Sequence, residues 1–196
     1  MPQEIRVFIA IELPDPLKAS LLALQGRLKE QAPPRSVRWV QPEGIHLTLK
    51  FLGQTPLDQI EGIVKALSSA CASLCPFTCT VGGLGCFPNL RRPRVIWVGV
   101  QEPTGALSRL QEAIEGACAE SGFKRERRAF HPHLTLGRLR DRASADERRA
   151  IGEVIQGTEV TSLGTVSAKG ISLIRSELRP RGAVYTTLRE IELREG

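Results

Sequence analysis

Two segments of this 196-residue chain carry nearly the same phrase. Residues 46–53 read HLTLKFLG and residues 133–140 read HLTLGRLR, identical at five of eight positions and 87 residues apart. Together they hold two of only three histidines, the third being His131. Self-similarity over about half the chain length implies two like halves. Successive side chains of a strand alternate faces, so His46 and Thr48 share one face while Leu47 and Leu49 take the other. The same holds for His133 with Thr135, and for Leu134 with Leu136. Each strand would bury two leucines and offer an imidazole and a hydroxyl, about 7 Å apart, on its other side. Leucines explain a packing repeat; His and Thr do not, because buried polar groups need partners.

The surrounding pattern places both phrases among alternating strands and helices. Residues 5–13 (IRVFIAIEL) read as a buried strand, and 15–31 as an amphipathic helix entered through Pro14 and Pro16. Strands follow at 37–40 and 45–52, a helix at 57–74, and strands at 77–87 and 94–100 joined by the Pro- and Arg-rich turn 88–93. A helix at 104–120, a strand at 134–139 and a helix at 144–156 come next. Strands at 160–175 and 183–193 flank the turn Pro180-Arg181-Gly182. Irregular alternation with hairpins indicates an α+β fold with antiparallel sheet. No linker interrupts it, so a single domain spanning 1–196 is expected.

Composition narrows the function. Apolar residues at 41% and charged residues at 24% exclude a disordered chain. No stretch approaches a transmembrane span, and the start Met1-Pro2-Gln3-Glu4 has no apolar signal region, so a cytoplasmic protein with no membrane partner is expected. Five cysteines, an odd number set mostly among apolar neighbours, read as reduced core residues; Cys71-x3-Cys75-x3-Cys79 has no histidine near it to suggest zinc. The net charge of +6 is concentrated: residues 124–149 contribute +5 of it, and arginine dominates the basic set. An arginine-rich face suits a polyanion, with a merely solvated surface as the alternative.

Two imidazoles facing each other across a pseudo-twofold suit transfer at a phosphodiester without a metal. One neutral ring accepts a proton from the attacking oxygen, and one charged ring gives a proton to the leaving oxygen; a histidine titrating near pH 6.5 can do either. Threonine hydroxyls would hold the non-bridging oxygens. The three histidines could instead ligate a metal, but Pro132 and the lack of a nearby carboxylate cluster weigh against it. No metal and no cofactor is expected.

With RVFIAIELPD, VRWVQPEGIHLTLKFLG, FHPHLTLGRLR and SELRPRGAVYTTL in view, the chain resembles the two-histidine (2H) phosphoesterase superfamily, defined by paired His-x-Thr-x motifs. Within it, the chain is most similar to the bacterial and archaeal RNA 2′,3′-cyclic phosphodiesterases, once called 2′-5′ RNA ligases. The resemblance implies a duplicated bilobal α+β fold, two antiparallel sheets with flanking helices around a central groove, one motif per lobe. It implies hydrolysis of RNA 2′,3′-cyclic phosphate ends to 2′-phosphomonoesters, with His46 as proton donor and His133 as proton acceptor. Thr48, Thr135 and Arg138 would bind the phosphate. A regular strand would turn Arg138 to the leucine side, so this role requires a bulge or a strand end. Lys50 alternates with His46 and Thr48 and is expected on their face. Phe8 and Tyr185 are candidates to stack on a base or, alternatively, core residues, and His131 is expected at the rim or in a structural role. The expected partner is RNA ending in a cyclic phosphate, tRNA fragments among the options, bound by a monomer. The alternatives are 2′-5′ ligation of cleaved tRNA halves, a small cyclic nucleotide as substrate, and a binding module without turnover.

Overall fold

The structure, a computed structural model, describes residues 3–179 and 182–194. In strand β1 (Glu4–Ile11), Ile5, Val7, Ile9 and Ile11 alternate onto one side and are buried there. Helix α1 (Asp15–Gln31) follows, with Pro16 in its first turn and Leu17, Leu21, Leu24 and Leu28 on its inner stripe. The chain continues through β2 (Val37–Trp39), β3 (Leu47–Pro56), α2 (Ile60–Cys71), β4 (Phe77–Phe87), β5 (Val95–Gln101) and α3 (Ala106–Glu120). It ends with β6 (His133–Leu139), α4 (Ala145–Gly157), β7 (Gly164–Ala168), β8 (Gly170–Arg179) and β9 (Gly182–Glu192). Helix α4 opens on a reciprocal cap in which the Ser144 hydroxyl accepts from the Glu147 amide and the Glu147 carboxylate accepts from the Ser144 amide.

The strands form two antiparallel sheets, ordered β3-β1-β8-β9 and β2-β6-β5-β4-β7. The fold is α+β and duplicated. Laid side by side, β3-β1-β8-β9 corresponds to β6-β5-β4-β7, and β2 is an addition on the outer side of β6. The unit strand–helix–strand–helix occurs as β1-α1-β3-α2 and again as β5-α3-β6-α4. The two units are intertwined through their first helices. Helix α1 lies against β7 and α4 of the five-stranded sheet, while α3 lies against β3 and α2 of the four-stranded one. One continuous apolar cluster runs through both sheets. Leu47, Leu134 and Leu136 of the repeated phrase are wholly buried in it, each worth roughly 1.5–3 kcal/mol relative to exposure.

Several boundaries differ from the sequence reading. The strand expected over 160–175 is two strands that part at Lys169 and enter different sheets, β7 beside β4 and β8 beside β1. The helix expected from 57 begins at Ile60 after a 3-10 turn at Leu57–Gln59, and β3 runs on to Pro56. Pro180 and Arg181 of the expected turn lie outside the described residues; β8 and β9 pair on either side of it, up to Arg179 opposite Gly182. Four cysteines are buried as expected, but Cys75 is exposed. Burial pushes the thiols of Cys71, Cys79 and Cys118 up to about 11, which keeps them protonated and inert. Among the described residues no helix is long and apolar enough to cross a membrane.

Candidate active site

Each repeated phrase forms a strand that touches its counterpart: β3 and β6 lie against each other where the two sheets meet. Both strands carry a bulge at the same place. In β3, Thr48 stands opposite Ala10 and Lys50 opposite Ile9, leaving Leu49 without a partner. In β6, Thr135 stands opposite Trp97 and Gly137 opposite Ile96, leaving Leu136 without one. An extra residue in one strand shifts every later side chain to the other face. The fourth and fifth residues of the phrase therefore both turn to the core, and the sixth joins the face of the first and third.

This shift decides two expectations. Arg138 gains the bulge that a phosphate-binding role requires: it is exposed on the face of His133 and Thr135, while Gly137 and Leu139 are buried. Lys50 does not reach that face. It is only 5% exposed, and its ammonium donates to Glu115 Oε2 at 2.7 Å and to the Lys124 carbonyl at 3.0 Å. The position equivalent to Arg138 is instead Phe51, which is 61% exposed and lies beside the Phe8 ring.

The first histidine sits just ahead of β3 in an aromatic corner. His46 stacks on Phe8 with centroids 4.5 Å apart and meets Tyr185 of β9 edge-on at 5.2 Å. Phe8 is 2% exposed. Phe8 and Tyr185 thus wall the imidazole, and Phe8 is covered rather than free to stack on a base. Gly44 is needed here, because a Cβ would stand 2.9 Å from the Tyr185 ring. Burial lowers the His46 pKa to about 4, opposed by the Glu12 carboxylate. Glu12 accepts from the Thr187 hydroxyl at 2.9 Å, and both line, with His46 and Tyr185, a cleft of about 140 Å³ that also takes in Lys18 and Glu43.

The second histidine opens β6. Its Nδ1 lies 2.6 Å from the carbonyl of His131, and a carbonyl can only accept, so Nδ1 carries the hydrogen. Nε2 of the neutral ring keeps its lone pair. His131 itself is exposed, and its backbone sets this tautomer. Phe87 meets His133 edge-on at 5.0 Å, and Trp97 lies at 6.3 Å. The indole lies over Gly85, where any Cβ would be 2.4 Å from the ring. Burial first, then the nearby Arg138 and His131, lower the His133 pKa against the raising effect of the bond to the His131 carbonyl.

The basic segment divides into braces and free guanidiniums. Arg148 donates to the carbonyls of Ala143, Pro93, Arg140 and Asp141, which makes it a brace for two loops. Arg149 pairs with Asp146. Arg125, Arg127, Arg128 and Arg138 remain exposed. Sequence reasoning overlooked Phe51, Glu12 and the aromatic wall of Phe87 and Trp97. Only the Lys50-Phe51-Leu52 break in alternation signalled the first of these. Among the described residues, no cluster of three or more His, Cys, Asp or Glu side chains could hold a metal ion.

Two intertwined halves, each delivering a His-x-Thr strand with the same bulge, define a duplicated two-histidine fold. The family model described as the 2′-5′ RNA ligase superfamily matches residues 13–178, and the chain belongs to that family. Among curated relatives, a protein of Methanothermobacter thermautotrophicus named RNA 2′,3′-cyclic phosphodiesterase is 32% identical over 97% of this chain and 100% of its own. One of Thermus thermophilus with the same name is 34% identical over 97% of this chain and 91% of its own. Among solved structures, TT0787 of Thermus thermophilus superposes with a TM-score of 0.79 at 28% identity, covering 97% of this chain and 98% of that one. Escherichia coli LigT complexed with 3′-AMP does so at 0.75 and 26% identity, covering 97% and 99%.

Proposed function

We propose that this protein opens 2′,3′-cyclic phosphate ends of RNA to 2′-phosphates, using His46 and His133 as its proton-transfer pair and no metal. The observation that carries this reading is the pair of motif strands, in contact where the sheets meet, each setting its histidine and threonine on the face turned away from the leucines. The curated relatives with full-length similarity bear the name of this activity. His133 suits the base: the His131 carbonyl holds its hydrogen on Nδ1, leaving Nε2 to take a proton from water. His46 is the acid that protonates the departing 3′ oxygen. Thr48, Thr135 and Arg138 hold the non-bridging oxygens, where donors aimed at developing charge act most strongly. The exchanged helices favour the whole of 1–196 acting as one catalytic unit.

Electrostatics add a condition. An imidazole titrating at about 4 is uncharged at neutral pH in the free enzyme, so His46 takes up its proton along with the substrate. An anionic phosphate at the ring favours that, as does Glu12. The profile of kcat/KM, which reports the free enzyme, therefore peaks at lower pH than that of kcat. The test is hydrolysis of an oligoribonucleotide with a 2′,3′-cyclic end in the presence of EDTA, with the product identified. His46→Ala and His133→Ala should each lower kcat by ~10²–10⁴. Loss of activity in EDTA, or full activity in both variants, overturns the reading. A second reading, joining of RNA through a 2′-5′ bond, draws on the family description; incubation with cleaved tRNA halves yields joined product if it holds and only 2′-phosphate if it does not.

A further inference from the structure

The five-stranded sheet has one strand more than its counterpart, and that strand is β2. It comes from the first half of the chain and pairs with β6 of the second. Val37 and Trp39 close over Gly137 on the core side. Arg38, between them, turns the other way; it is exposed and stands directly opposite Arg138. Because the β6 bulge puts Arg138 on the face of His133 and Thr135, Arg38 shares that face too. Directly opposed residues on paired strands have Cα atoms about 5 Å apart, and like charges so placed repel. Neither guanidinium is in an ion pair among the described residues. This juxtaposition by itself opposes folding and becomes favourable when an anion lies across it. Guanidinium forks take phosphate oxygens two at a time.

We propose that Arg38 and Arg138 form a two-phosphate clamp for an RNA chain. Arg138, near enough to His133 to disfavour its imidazolium, serves the reacting phosphate. Arg38, one strand further out, holds the adjoining phosphodiester. The substrate class follows: an oligonucleotide end engages both guanidiniums, whereas a cyclic mononucleotide has no second phosphate to offer. This deepens the proposed function and rests on it for the identity of the reacting phosphate.

The experiment compares a 2′,3′-cyclic mononucleotide with an oligoribonucleotide ending in the same cyclic phosphate, for the wild type, Arg38→Gln and Arg38→Lys. Urea midpoints at or above the wild-type value confirm that the variants are folded. The expected result is an approximately tenfold fall in the ratio of oligonucleotide to mononucleotide kcat/KM for Arg38→Gln, carried by KM, with Arg38→Lys between it and the wild type. Binding of an oligonucleotide ending in a 2′-phosphate, measured without turnover, should show its salt slope reduced by about one in Arg38→Gln. A ratio and a slope within error of the wild type overturn the clamp. Turnover of neither substrate by the wild type overturns the proposed reaction instead, while the binding slope still decides the clamp.

Discussion

His46 is buried where it stands to lose its charge. In the unfolded chain its imidazole takes a proton near pH 6.5, but against Phe8 and Tyr185 it does so only at about 4. Between those values the unfolded state binds more protons than the native one, so stability falls as pH falls through that window. His46→Asn removes this site's share of the slope. Urea denaturation of both proteins at pH 7 and pH 4.5 should show the variant losing less stability across the interval, by about 2 kcal/mol. Equal losses would mean that the ring is more hydrated than its packing implies. The same aromatic corner explains why Phe8 could not be assigned from sequence. An aromatic on an alternating strand reads as core or as a base platform, and only the register of β9, which brings Tyr185 back across 140 residues or so, shows it as a wall for histidine.

At the scale of elements, the bulge carries the most consequence and was the least legible. His46, Thr48, His133 and Thr135 fell on their expected faces because two-residue alternation holds up to the fourth position of each phrase. It fails at the fifth. Nothing in LKFL or LGRL spells out that Leu49 and Leu136 are supernumerary in the ladder, so Lys50 was expected beside the histidines and lies instead against Glu115. The division of 160–175 is hidden because only Lys169 and Gly170 separate the buried Val166 and Ala168 of β7 from the buried Ile171 and Leu173 of β8, too short a break to read as the end of a strand. In contrast, α1 is legible to the residue, its entry set by two prolines and its inner stripe by leucines. The seat of β2 on β6 depends on Gly137, where a Cβ would stand 2.7 Å from Val37 and 3.1 Å from Trp39. Gly137→Val should lift β2 off β6, costing about 1–3 kcal/mol in urea denaturation. It should also impair oligonucleotide binding, because Arg38 leaves with its strand; unchanged stability would contradict the packing described for β2.

Across the whole molecule, each half's first helix holds the other half's motif strand. Gln25 of α1, fully buried, donates to the carbonyls of Leu136 and Val40, both at 2.8 Å. Glu115, ninety residues later on α3, receives the ammonium of Lys50 and the amide of Glu126. Each of these contacts grips a bulge. The second also anchors the 121–132 segment that leads into His133. Glu115→Ala strands a buried ammonium and should cost about 3–5 kcal/mol, whereas Lys50→Met combined with Glu115→Leu should recover most of it. Thermal or urea denaturation of the three proteins checks this. A double variant no more stable than the single one would mean that packing, not charge, dominates there.

The exchange of braces has a consequence for how the chain is made. As it leaves the ribosome, α1 has no sheet to lie on until residues beyond 139 have emerged. Strand β1 lacks β8 until residue 175 or so, and His46 lacks Tyr185 for longer still. The first third of the protein must therefore wait, sticky and half-formed, for the last third to arrive, so nascent chains stalled before the second phrase are the species most in need of a chaperone.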